Sequence, residues 1–285
     1  MTSTPRTHDL PAIPPLGPAM LRGALLSPLK KPRGTESTPA TARLRVAAVR
    51  IRTPHLTAYE NVCGYPTGRP ELPLTYPHIL GFPLAMRLMA ARAFPLPLLG
   101  LVHTSIEITQ HRDLSPAEPY ELTVEATELR PHHRGTEAVV VTELRSGGAP
   151  VWQSTSTYLS RHRTTTPPTP AREPAPLPPL TEWHLGADLG RRYAAASGDR
   201  NPIHLHPLTA RLFGFPRAIA HGMWTVSRCL AEFGARGPVH VQARFKAPVL
   251  LPGSVTYAAK GTAFELRSAK DDRTHVTGTV RTLGV

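Results

Sequence analysis

Residues 223–246 read MWTVSRCLAEFGARGPVHVQARFK, and the period of their apolar positions changes part-way along. Met223, Val226, Leu230 and Phe233 recur at steps of three, four and three, one face of an α-helix. Gly234 and Gly237-Pro238 stop that helix. Val239, Val241, Ala243 and Phe245 then alternate with His240, Gln242, Arg244 and Lys246, the pattern of a half-buried strand. Pro248 to Gly253 supplies a turn, and Ser254–Lys260, Ala263–Lys270 and His275–Thr282 read as further strands. One apolar helix followed by about four antiparallel strands must bury the helix against one face of the sheet. The fold class is therefore α+β.

The first half of the chain repeats this order. Leu84–Arg92 reads as a helix, and His103–His111, Tyr120–Arg130, Glu137–Leu144 and Val151–Ser160 read as strands, with Leu44–Ile51 as a leading strand. Landmarks recur too. Tyr59-Glu60-Asn61-Val62-Cys63-Gly64-Tyr65, Leu80-Gly81-Phe82-Pro83 and Val102-His103 parallel Tyr193 to Asp199, Phe213-Gly214-Phe215-Pro216 and Val239-His240. Ordered recurrence at similar spacing argues for a duplicated unit.

Between the halves, Thr164 to Leu180 reads TTTPPTPAREPAPLPPL and holds seven of the 33 prolines. Such a segment runs extended as polyproline II rather than as a helix or central strand. The chain is thus divided into a loosely ordered basic N-terminal arm (1–38), a first unit (39–163), a Pro-rich linker (164–181) and a second unit (182–285).

The net charge is +13, which favours anionic partners or simply reflects an Arg-rich protein. No zinc-finger spacing, RNA-binding signature or basic run with heptads is present, so nucleic acid is not expected. A nucleotide-bearing thioester or an acidic carrier is an equally suitable anion. No apolar run reaches the length of a membrane span. The N-terminal apolar patches are broken by prolines and do not resemble a secretory signal. Two cysteines, Cys63 and Cys229, form no CxxC pair, so a reducing cytoplasm is the expected location.

The chemistry concentrates in Ser197-Gly198-Asp199-Arg200-Asn201-Pro202-Ile203-His204. Gly198 permits an unusual backbone angle and Pro202 fixes another, so the segment turns and presents side chains. Asp199 and His204 can each accept or donate a proton, and together they can grip one water, with Asn201 fixing the local geometry. An isolated Asp-x-Asn-Pro is usually just a helix cap. The histidine at this offset, Tyr193 upstream and His221-Gly222 downstream tilt the reading toward catalysis. Ala220-His221-Gly222-Met223 opens the apolar helix, where free N–H groups carry partial positive charge. The Gly222 N–H could there serve as an oxyanion donor, although a glycine at that place can also serve only close packing. His204-Leu205-His206 lacks the further ligands a metal would need.

Tyr193, Ser197 to His204, Phe215-Pro216, His221-Gly222-Met223 and Phe245-Lys246-Ala247-Pro248-Val249 resemble the signature of MaoC-like dehydratases and (R)-specific enoyl-CoA hydratases. The resemblance covers Trp183 to Val285. Pro73-Leu74-Thr75-Tyr76-Pro77 and His103-Thr104 resemble the degenerate unit of double hot-dog members. It implies an α+β double hot-dog fold: two tandem units, each an antiparallel sheet wrapped around a long apolar helix. It places the catalytic pair on Asp199 and His204, the supporting residue on Asn201 and the oxyanion N–H on Gly222. Tyr65 stands at the matching Asp position of the first half, which then serves acyl-chain binding rather than chemistry.

The implied reaction is reversible hydration of a trans-2-enoyl thioester to an (R)-3-hydroxyacyl thioester, with no cofactor and no metal. The implied partner is an acyl-CoA or acyl carrier protein thioester, and the implied assembly a monomeric pseudo-dimer or a homodimer. A hot-dog acyl-CoA thioesterase and a non-catalytic acyl-thioester-binding protein are the alternatives, since fold alone does not fix function.

Overall fold

The computed structural model describes residues 6–30, 42–168 and 175–284. Two compact units emerge. The first comprises residues 1–50, 77–106 and 118–174, and the second comprises 51–76, 107–117 and 175–285. Segment 51–76 thus packs with the second half of the chain.

In the first unit the central helix is α3 (Tyr76–Met89). It lies against an antiparallel run of β2 (Ala42–Val49), β4 (Tyr120–His132), β5 (Gly135–Ser146) and β6 (Ala149–Arg161). The hairpin registers pair Thr142 with Ser154 and Val140 with Ser156. Gly81 lets the helix settle on this surface, because a Cβ there would meet Thr142 Cγ2 at 2.5 Å. The first residues of β3 (Val102–Gln110) join β6, with Thr104 Oγ1 2.6 Å from Thr157 Oγ1.

In the second unit the central helix is α7 (Gly222–Phe233). Its sheet runs in the order β8 (Val239–Phe245), β11 (Thr274–Thr282), β10 (Ala263–Ser268), β9 (Gly253–Lys260), β7 (Pro179–Leu185), with antiparallel pairing throughout. Beside α7 stand α2 (Thr53–Cys63) and α4 (Leu189–Ser197), followed by the short α5 (Pro202–Leu205) and α6 (Pro207–Leu212). Val226 and Leu230 of α7 are buried to within 1 % exposure, as the three-four period requires. Each unit is a helix laid on an antiparallel sheet, the hot-dog arrangement. Among the described residues no helix is long and apolar enough to cross a membrane.

Three expectations change. Residues 6–30, read as a loosely ordered arm, contain β1 (Arg6–Leu10), which pairs in parallel with β2, and α1 (Leu16–Leu26). Pro18 lies in the first turn of α1, where a missing N–H costs nothing. Ser27 Oγ donates to the Gly23 carbonyl at 2.6 Å, and Lys30 Nζ to the Ala91 carbonyl at 2.8 Å. Residues 1–5 and 31–38 of that arm lie outside the described residues, as do 169–174 of the Pro-rich linker. The linker's end is strand: β7 begins at Pro179 and buries Trp183 and Leu185. A proline is compatible with the first residue of an edge strand. The first-half helix spans Tyr76–Met89 rather than Leu84–Arg92, with Pro83 inside it.

Candidate active site

The site is built between α4 and α7, entirely within the second unit. α4 ends at Gly198, whose φ of 77° is left-handed and whose N–H donates to the Ala194 carbonyl at 3.0 Å. Only glycine enters that conformation without strain, and the chain turns sharply there. Asp199 follows. Its Oδ1 accepts the Asn201 N–H at 3.1 Å, a local turn that points the second carboxylate oxygen elsewhere. Asn201 caps α5 by accepting the Ile203 N–H at 3.4 Å, and Pro202 takes the first helical position. His204 therefore projects from a fixed single turn.

His204 is held from the far side. Its Nδ1 lies 2.8 Å from the Ile219 carbonyl. A carbonyl only accepts, so Nδ1 carries the hydrogen and Nε2 presents a lone pair when the ring is neutral. The N–H of Ile219 returns a bond to the Ile203 carbonyl at 3.1 Å. Segment 218–220 is itself tied to 249–251, Ala220 N–H meeting the Val249 carbonyl and Leu251 N–H the Ala218 carbonyl, both at 2.8 Å.

His221, which the sequence singled out with Gly222 at the helix opening and in the family-like signature but gave no side-chain role, contributes its side chain. Its ring stacks on that of His204 with centroids 3.7 Å apart, and the Tyr193 ring lies tilted against it with centroids 4.8 Å apart. Its Nε2 donates to the main-chain carbonyl of Asp199 at 2.9 Å. An oxygen of Asp199 and a ring nitrogen of each histidine lie within 4.8 Å of one another.

Burial sets the charges. It pushes the Asp199 carboxyl above the ordinary carboxylate value, against the opposing pull of His204 and the Asn201 N–H. It pushes His204 below the ordinary imidazole value, against the pull of Asp199 and the Ile219 carbonyl. His221 is driven well down, by burial first and by His204 next. The Asp199 side chain keeps 20 % exposure while His221 keeps 3 %, so the carboxylate is the member of the group open to a ligand.

The donor set suits a water better than a metal ion. Imidazole lone pairs lie in the ring plane, and two rings only 27° from parallel at 3.7 Å do not aim at one point. A zinc site needs both nitrogens about 2.0–2.1 Å from the same ion.

Gly222 opens α7, so its N–H has no intrahelical acceptor. Among the described residues no other group accepts it. A Cβ at this position would lie 3.0 Å from the Phe245 ring, so only glycine sits there without displacing the ring. Gly190 of α4 went unnoticed in the sequence and matters as much. A Cβ on it would lie 1.9 Å from the His204 carbonyl oxygen, so this glycine lets α4 and α5 touch.

The matching place in the first half is Tyr65, after Gly64, whose φ of 76° repeats that of Gly198. Burial holds the Tyr65 phenol far above neutrality. Its Oη lies 3.5 Å from Thr75 Oγ1, itself 2.9 Å from Tyr59 Oη and Ser227 Oγ. Residues 64–75 contain no counterpart of α5 and α6, and no imidazole. Cys63 is buried, with its thiol pushed up to about 12, so it offers no nucleophile.

Comparison with known proteins places this arrangement. The MaoC like domain matches residues 162–283. The 3-hydroxyacyl-thioester dehydratase X of Mycobacterium tuberculosis is 38% identical over 239 residues, spanning 80% of this chain and 85% of that protein. The chain belongs to the MaoC-like dehydratase family. The crystal structure of HtdX from the same organism superposes with a TM-score of 0.74 at 35% identity, covering 85% of this chain and 100% of that one. Rv0216, also from Mycobacterium tuberculosis and described as having a double hot-dog fold, gives a TM-score of 0.50 at 12% identity over 82% of this chain and 92% of that one, a likeness of fold alone. As a MaoC-like dehydratase, the chain has the double hot-dog fold that the sequence resemblance implied.

Proposed function

We propose that this protein hydrates trans-2-enoyl thioesters, and dehydrates (R)-3-hydroxyacyl thioesters, at a single site formed by Asp199, His204 and Gly222. One observation carries the reading: the Asp199 carboxylate and the His204 ring nitrogen fall within 4.8 Å, a span that one water bridges with two hydrogen bonds of roughly 2.8 Å. The named activity of the Mycobacterium tuberculosis relative supports the reaction class. The two free, buried thiols support a reducing, cytoplasmic setting.

In this reading the thioester carbonyl accepts the Gly222 N–H, which stabilises the enolate-like charge that develops as the β-carbon is attacked. A donor so placed contributes about 3–4 kcal/mol. The water gives its hydrogens to Asp199 and to His204 Nε2, leaving its oxygen lone pair for the β-carbon. As the C–O bond forms, one water proton passes to a member of the pair and is returned to the α-carbon. The other stays on the product hydroxyl. The reverse sequence dehydrates. Asn201 shapes the Asp199 turn, and His221, held neutral, fixes the Asp199 main chain and backs the His204 ring.

The test is incubation with crotonyl-CoA. The conjugated enoyl absorbance should fall, (R)-3-hydroxybutyryl-CoA should appear, and no free thiol should be released. Thiol release without loss of the enoyl group would instead identify a thioesterase. The pH profile gives a second check. The active form pairs an ionised Asp199 with a neutral His204. Burial lowers His204 and raises Asp199, so the acid limb of kcat/KM should be centred above the ordinary carboxylate value of about 3.9. A limb centred at or below that value would contradict the assignment.

A further inference from the structure

The chain from Asn201 to Ile219 leaves the site and returns to it, beginning beside Asp199 and ending at the carbonyl that anchors His204. It is tied into one knuckle. Thr209 Oγ1 donates to the carbonyls of Pro202 at 2.6 Å and His206 at 2.9 Å. Phe215 N–H meets the Ala210 carbonyl at 3.1 Å, and α5 packs on α6.

The outer surface of this knuckle is apolar and cationic together. Leu212 is 83 % exposed, Leu208 62 % and Phe213 44 %. Arg200, Arg211 and Arg217, in and just before the same stretch of chain, are exposed as well. Among the described residues Arg211 and Arg217 reach only main-chain carbonyls, those of Pro216 and Pro252. Among the described residues Arg200 has no carboxylate partner. The neighbouring sequence offers no neutralisation, since Asp199 is the one acidic residue from Leu189 to Ala231. Three unneutralised guanidiniums and three large apolar side chains therefore share a rigid projection that starts at the reacting groups.

We infer that this knuckle docks an acidic acyl carrier protein that delivers the thioester, an inference that rests on the hydratase reading above. A partner with an acidic rim and an apolar patch satisfies both halves of the surface. Coenzyme A has phosphates for the arginines but too little apolar surface to cover Leu208, Leu212 and Phe213. Nucleic acid likewise supplies charge without an apolar face. Large apolar side chains left together on a surface mark an interaction site. The knuckle's continuity with Asp199 and His204 puts the docked carrier next to the chemistry it must feed.

The experiment compares one enoyl group carried on acyl carrier protein and on coenzyme A, with wild type, the double variant Arg211→Glu/Arg217→Glu, and Leu212→Ser. On the carrier protein the charge reversal should lower kcat/KM about 10-fold or more, through KM, and added salt should narrow the gap by weakening the wild type. Leu212→Ser should lower it several-fold without that salt dependence. On coenzyme A all three proteins should agree within about twofold, which also shows that the variants are folded. Equal losses on both carriers, no loss on the carrier protein, or preferential binding of duplex DNA abolished by the same changes would each overturn the docking role. A wild type inactive on both thioesters would overturn the hydratase reading, and this inference with it.

Discussion

Asp199→Asn should lower kcat/KM for enoyl-CoA hydration by about 10²–10⁴-fold while the melting temperature at pH 7 stays equal to or above that of the wild type. The side chain keeps its shape, and the amide oxygen still accepts the Asn201 N–H bond that shapes the turn. The charge is lost. In the folded protein this carboxyl sits above its ordinary value, chiefly through burial. A group raised on folding contributes stability only where it is protonated. That contribution is present below its unfolded value of about 3.9 and is lost as pH rises through the folded value. At neutral pH the ionised Asp199 therefore costs stability, and the neutral isostere removes the cost. The advantage of Asn should shrink as pH falls toward the ordinary carboxylate range. Thermal melts at pH 7 and pH 4, with kinetics at pH 7, check both halves. Loss of activity together with loss of stability would make Asp199 a structural cap instead.

Gly190→Ala should reduce kcat about 100-fold although residue 190 touches no substrate. The added methyl would stand 1.9 Å from the His204 carbonyl oxygen and 2.9 Å from its carbon. Both atoms are main chain, so no side chain can swing aside. Relief requires α5 to move away from α4 by about an ångström, and a misplacement of that size costs on the order of 10²-fold in rate. Alanine is the better helix former by about 1 kcal/mol, which partly offsets the strain, so the melting temperature should fall only modestly. Steady-state kinetics on crotonyl-CoA provide the check. Wild-type kcat in this variant would show that the position of His204 is not what catalysis needs.

How much of this was legible before the structure depended on whether the signal lay within one segment. α7 and β8 were readable because their apolar periods of 3.6 and 2 are local. The turn at Asp199 was readable because Gly, Asn and Pro declare it. α3 was misplaced because Pro77 and Pro83 look like breakers. Pro77 sits in the first turn, where no N–H is needed, and burial of residues such as Leu84 and Met89 outweighs the bond lost at Pro83. The pairing of Leu80 to Pro83 with Phe213 to Pro216 was likewise not a structural equivalence. The former lies inside α3 and the latter in the turn after α6. Gly64 and Gly198, with φ of 76° and 77°, are the equivalent points. The side-chain role of His221 and the packing role of Gly190 were not readable because they are contacts with residues distant in sequence, His221 with Asp199 and His204, and Gly190 with His204. The single hint for Gly190 was a glycine in an otherwise helix-favouring stretch, a position that often signals close packing.

A double-mutant cycle on kcat/KM, using Asp199→Asn, His204→Ala and the two combined, bears most directly on whether both side chains act on one shared water. Groups that work as a unit lose their joint contribution when either is removed. The double variant should therefore be no more than a few-fold slower than the slower single variant. Losses that multiply, or a single variant that turns over at the wild-type rate, would contradict a shared water between Asp199 and His204.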